Sequence, residues 1–91
     1  MDRKELHLVI IAPERTLFDG PVNWVELPGE LGKFQVLVNH APIISSLKEG
    51  EVIYQCGEVH YRVQRDTQKL KITGGFVEVK DNLVSVCVEL P

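Results

Sequence analysis

Pro13, Pro21, Pro28 and Pro42 divide the first half of the chain into stretches too short for an ordinary uninterrupted helix. Each proline fixes φ, lacks an N–H, and crowds the carbonyl of the preceding helical turn. The second half is rich in β-branched residues, which favour the pleated conformation. Only Ile43 to Leu47 retains room for a turn of helix, so the chain is expected to be all-β. The β-prone runs are Leu6–Ala12, Val22–Leu27, Phe34–Val38, Val52–Cys56, Phe76–Lys80 and Leu83–Glu89. Two further runs alternate apolar and polar residues: Val59, Tyr61 and Val63 around His60 and Arg62, and Leu70 and Ile72 between Lys69 and Lys71. Gly57-Glu58 suits a two-residue hairpin turn with glycine first, Asp81-Asn82 suits one with positive φ at both central positions, and Gly74-Gly75 reads as a turn or bulge. Seven to ten short strands with closely spaced turns predict a sandwich or a barrel, and a sandwich is preferred. The 91 residues form one domain, 1–91, that buries about 60–65% of its unfolded surface.

Two strands are apolar on both faces. Leu6, Leu8, Ile10 and Ala12 share one side of the first strand, but Val9 and Ile11 occupy the other. In the last strand Val84, Val86, Val88 and Leu90 share a side while Leu83 and Cys87 point away. Either the domain's own loops cover the second face or another subunit does. Periodicity alone leaves both readings open.

Composition removes several partner classes. Apolar residues make up 44% and charged residues 25%, which suits a folded globular chain. A net charge of −3 offers no basic footprint for nucleic acid or an anionic membrane. Leu6 to Pro13 is far shorter than the ~20 residues of a spanning helix, and the N-terminus lacks the long apolar region of a secretory signal, so retention in the compartment of synthesis is expected. Cys56 and Cys87 have no paired-cysteine spacing and read as small hydrophobes in a reducing setting.

No catalytic set emerges. His7, His40 and His60 stand apart without ligand spacing, so no metal is expected. His40 beside Ser45 and Ser46 lacks the strained elbow of a nucleophilic serine. Gly74-Gly75 precedes a strand rather than a helix, so nothing cradles a phosphate, and neither nucleotide nor other cofactor is expected. Trp24 is assigned to the core. Glu26, Glu30, Glu49 and Glu51 give an acidic rim that is either simply solvated or orients a basic partner.

That rim surrounds the segment LPGELGKFQVLVNHAPIISSL, Leu27 to Leu47, which reads as a shaped loop on a rigid scaffold. Its spacing P-G-x-x-G-x-F-x-V-L-x-x-H-A-P, followed by L-x-x-G at Leu47 to Gly50, resembles the epsilon subunit of F-type ATP synthases. Leu8 to Gly20 (LVIIAPERTLFDG) and Ile72 to Glu89 (ITGGFVEVKDNLVSVCVE) resemble the opening and closing motifs of that family in the same order.

The resemblance implies a flattened β-sandwich of about ten mostly antiparallel strands. It implies a non-catalytic rotor part in the central stalk, bridging the gamma subunit and the c-ring and coupling proton flow to ATP synthesis. Glu30, Leu31 and Gly32 match the loop that faces the c-ring, while Ala12, His40, Ala41, Pro42 and Ser45 match positions near gamma. The place implied is the cytoplasmic face of a bacterial inner membrane, peripheral and without insertion into the bilayer. Val38 departs from the proline usual before the Asn-His pair. Family members usually continue as a helical hairpin, which this chain, ending at Pro91, is expected to lack. Without the resemblance, the residues also allow a stand-alone sandwich that binds a peptide or small ligand at Leu27–Leu47.

Overall fold

The computed structural model describes residues 5–56 and 66–91. They form nine strands: β1 (Leu6–Ala12), β2 (Arg15–Val22), β3 (Trp24–Gly29), β4 (Gly32–Val36), β5 (Ile43–Leu47), β6 (Gly50–Cys56), β7 (Asp66–Ile72), β8 (Gly74–Lys80) and β9 (Leu83–Glu89). No helix occurs among the described residues. The expected strand Val59–Val63, with His60, and the Gly57-Glu58 turn lie outside them.

Hydrogen bonds connect the strands in the order β2-β1-β9-β8-β5-β3-β6-β7, with β4 on the other side of β3. Between β5 and β3 the connection is a single pair, Leu47 opposite Gly29. That narrow bridge divides the path into two layers, β2-β1-β9-β8-β5 and β4-β3-β6-β7, which fold face to face. The chain crosses between layers four times, once through the 37–42 loop and three times at tight corners, each corner fixed by a backbone hydrogen bond. Asn23 N–H donates to Gln55 O at 2.7 Å, Lys48 N–H to Pro28 O at 2.9 Å, and Thr73 N–H to Glu89 O at 2.8 Å. All described pairings are antiparallel except β1 with β9, where Leu8 lies opposite Val84 and Ile10 opposite Val86.

The core lies between the layers. Leu6, Leu8 and Ile10 of β1 meet Val84 and Val86 of β9 and Val77 and Val79 of β8, all at most 1% exposed. Val25, Leu27, Val36, Val52 and Ile72 close it from the second layer. Burying each such side chain contributes about 1.5–3 kcal/mol, so this shared interior is the main stabilising term. Phe18 of β2 and Tyr54 of β6 join the layers away from the Gly29–Leu47 bridge, with ring centroids 4.6 Å apart at 48°.

Several expectations need correction. Ile43–Leu47 is strand β5, not a helical turn, because it pairs with β8 from Ile43–Val79 to Leu47–Gly75. Residues 15–22, outside the expected β-prone runs apart from Val22, form edge strand β2, where Pro21 is tolerated because an edge leaves N–H positions unpaired. Gly74-Gly75 begins β8 rather than making a turn. Gly75 has φ of 149°, and a Cβ there would stand 2.1 Å from the Cys87 carbonyl oxygen, so the residue permits close backbone approach. Trp24 is half-buried and lies outside the core cluster, since its neighbour Val25 takes the inward position. Asp81 and Asn82 behave as expected, with φ of 51° and 61°.

Two predictions follow from this packing. Gly75→Ala should destabilise by more than about 3 kcal/mol in urea unfolding, whereas Gly32→Ala, strained in φ but in open space, should cost about 1–3 kcal/mol. Burial, and secondarily the charge of the Cys56 thiol, holds the Tyr54 phenol above its ordinary value of 10.0. The neutral phenol's contribution is therefore complete below pH 10 and lost as pH rises through the folded value. Tyr54→Phe should flatten that alkaline fall, read by thermal melts across the range.

Candidate functional site

Pleating sends alternate residues of each strand outward, and the two layers present different surfaces. The outer side of β3-β6-β7 carries Glu26, Ile53 and Lys69 in one row and pairs Glu51 with Lys71 in another. Mixed charges of this kind suit water. The outer side of the other layer has the row Ile11, Cys87, Phe76 and Ser46, residue opposite residue across β1, β9, β8 and β5. The next row is Val9, Ser85, Glu78 and Ile44.

Ile44 is 76% exposed, Phe76 53% and Ile11 41%, so this face leaves large apolar side chains in water. A shallow groove of about 290 Å³ runs over it between Ile11, Pro13, Phe76 and Cys87. A second hollow, of about 340 Å³, lies between Pro42, Ile44, Glu78 and Lys80. At the rim His7 Nε2 donates to Asp19 Oδ1 at 2.6 Å, an exposed pair between β1 and β2. Of the two readings for the doubly apolar strands, coverage by the domain's own loops is not what the described residues show at Ile11, Phe76 and Ile44.

The β3–β4 turn places Glu30 and Leu31 at an exposed tip, with Leu31 fully in solvent. Gly32 follows with φ of 137°, a value that suits glycine. Glu30 N–H donates to Ser46 O at 3.1 Å, which fastens the tip to the end of the apolar row. The shaped segment Leu27–Leu47 is therefore mostly hairpin and strand, and its irregular part is residues 37–42.

Within that loop His40 is half-buried, and its Nδ1 donates to Ala41 O at 2.6 Å. Ala41 and Pro42 are exposed. Ser45 alternates with exposed Ile44 and lies on the inner side of β5, half-buried opposite Val77. Ala12 is 5% exposed and belongs to the core. The structure thus brings Ala41 and Pro42 to the surface, leaves His40 at its edge, and turns Ser45 and Ala12 inward.

Sequence reasoning missed Phe76 and Ile44 as surface residues. Their signal was present: each is apolar at a position alternating with an inward neighbour, Val77 in the core and Ile43 packed against it. Cys56 and Cys87 are free and half-buried. Among the described residues no group of three or more His, Cys, Asp or Glu side chains is placed to hold a metal ion, and no helix is long and apolar enough to cross a membrane.

A sandwich with one charged outer face and one apolar outer face has the construction of a subunit built into a larger assembly. The model of the ATP synthase delta/epsilon chain β-sandwich domain matches residues 5–90. The chain belongs to this family. It is 39% identical over 85 residues to the ATP synthase epsilon chain of Caulobacter vibrioides, covering 93% of this chain and 91% of that protein. With the epsilon chain of Pelotomaculum thermopropionicum it shares 40% identity over 88 residues, covering 94% of this chain but 59% of the relative. The fold matches a chain in the central stalk/c-ring structure of Tetrahymena thermophila mitochondrial ATP synthase, with a TM-score of 0.77 at 16% identity, covering 98% of this chain and 66% of that one. A Euglena gracilis mitochondrial ATP synthase chain gives 0.78 at 19% identity, covering 97% and 52%.

The outward positions should tolerate polar replacement. Phe76→Ser and Ile44→Ser are each expected to change unfolding free energy by less than about 1 kcal/mol, while Leu8→Ala in the core should cost about 2–5 kcal/mol. Urea titration of the three variants tests this division of faces.

Proposed function

We propose that this chain is a non-catalytic central-stalk subunit of an F-type ATP synthase, bridging the gamma subunit and the c-ring and helping to couple proton flow to ATP synthesis. The observation that carries the reading is the apolar outer row Ile11–Cys87–Phe76 on a member of the delta/epsilon family. This face meets gamma, with His40, Ala41 and Pro42 at its border and Ala12 and Ser45 supporting it from within. The tip formed by Glu30, Leu31 and Gly32 meets the c-ring.

Such a part needs stiffness rather than chemistry. Force entering at the tip passes through the Glu30–Ser46 backbone hydrogen bond into β5, and from there through the β5-β8-β9-β1 ladders beneath the apolar row. The exposed Glu30 carboxylate sets orientation against polar loops of the ring more than it adds affinity. The work is placed at the cytoplasmic face of a bacterial inner membrane, peripheral to the bilayer.

Mixing the chain with purified gamma should give a joint peak in size exclusion at micromolar concentrations; separate elution would count against the reading. Glu30→Lys should leave unfolding free energy within about 1 kcal/mol of the parent while lowering proton-driven ATP synthesis in reconstituted vesicles. Unchanged synthesis would remove Glu30 from the ring contact.

A further inference from the structure

Asn82 is the one buried polar side chain among the described residues, 7% exposed. Its backbone explains part of its identity. With φ of 61° in the β8–β9 turn, the position favours glycine or asparagine. Glycine would satisfy that requirement alone, so the buried amide calls for a separate reason.

The amide is engaged with the loop that joins β4 to β5. Asn82 Oδ1 accepts from the backbone N–H of Asn39 at 2.6 Å, and Asn82 Nδ2 donates to Asn39 Oδ1 at 3.2 Å. Asn39 itself has φ of 65°, a conformation asparagine tolerates better than most residues. The backbone carbonyl of Asn82 meanwhile accepts from His7 N–H at 2.8 Å. One residue therefore ties the 37–42 loop to the β8–β9 turn and to the start of β1. Within the loop, His40 N–H donates to Leu37 O at 3.2 Å and the His40 ring to Ala41 O, both over short sequence distances.

We infer that Asn82 is a positioning residue, whose paired amide bonds to Asn39 hold the exposed Ala41-Pro42 stretch in the shape that docks on the stalk partner. The inference rests on the functional reading above. Asn82 itself is only 7% exposed. It lies beneath the surface and acts through Asn39. A loop held by two hydrogen bonds loses less conformational freedom when it docks than one that must first be ordered.

Three variants test it. Asn82→Gly keeps the turn and removes the amide. Asn82→Asp keeps the Oδ1 acceptor but sets a second carboxylate oxygen against Asn39 Oδ1. Asn39→Gly combined with Asn82→Asp removes that clash and restores an acceptor for the residue-39 N–H. Amide hydrogen exchange is followed at residues 39 and 86, and affinity for purified gamma is measured by titration.

In Asn82→Gly, exchange at residue 39 should accelerate at least about tenfold relative to residue 86, and gamma affinity should fall about three- to tenfold, the range for one or two neutral hydrogen bonds. Asn82→Asp should weaken binding as well, and the double variant should recover most of it. A merely structural role would instead speed exchange at both residues alike and would not be rescued. Unchanged exchange at residue 39 in Asn82→Gly would overturn the clamp, and faster exchange with unchanged affinity would overturn its role in docking. If the parent chain itself fails to bind gamma, the functional reading falls and the docking role with it, while the exchange contrast still reports on the clamp.

Discussion

The architecture hangs on the single backbone bridge between Gly29 and Leu47. Continuous pairing between β5 and β3 would make one broad curled sheet with one face on each side. A single bridge instead acts as a crease, and the two parts close on the same apolar interior. The corners at Asn23, Lys48-Glu49 and Thr73 can then be short, because each needs only to carry the chain across one layer of side chains. Their donors are met by carbonyls of neighbouring strands, so the chain changes layers without stranding these polar groups.

That closure also decides which surfaces remain. Two layers have two inner faces, which the core consumes, and two outer faces, which must meet water or a neighbour. The second layer answers with the pairing of Glu51 and Lys71 and with Lys69 and Glu26 nearby. The first exposes Ile11, Phe76 and Ile44. Nothing in the stability of the sandwich requires those three residues, because Leu8, Val77 and Val86 beneath and between them already fill the interior. Their apolar character has to be explained by what covers them.

Much of this was legible in the residues. The apolar runs of β1 and β9 gave both strands their full bounds, and period-two assignment identified Val9, Ile11 and Cys87 as a second face. Asp81-Asn82 announced its turn because few residues accept positive φ twice in succession. The misreadings share a cause, which is non-local pairing. Residues 43–47 carry two serines and a short apolar run, so only their ladder with β8 reveals a strand. Residues 15–22 contain glycine and proline, which locally suggest a turn but are compatible with an edge. Gly75 looked like punctuation because the carbonyl that crowds it belongs to Cys87, twelve residues onward. At the candidate surface, alternation already set Ala12 on the side of Leu6, Leu8 and Ile10, whereas the motif residue Ser45 came with no indication of burial, since a motif names positions without saying which way their side chains turn.

The parallel pairing of β1 with β9 has a further consequence. Ile11 and Cys87 lie side by side, yet 76 positions of chain separate them. During synthesis the first strand emerges long before the strand that completes the apolar row. A nascent or C-terminally clipped chain can expose Ile11, but it cannot display the Ile11–Cys87–Phe76 row as a unit. The complete row therefore exists only in chains whose two ends have already found each other.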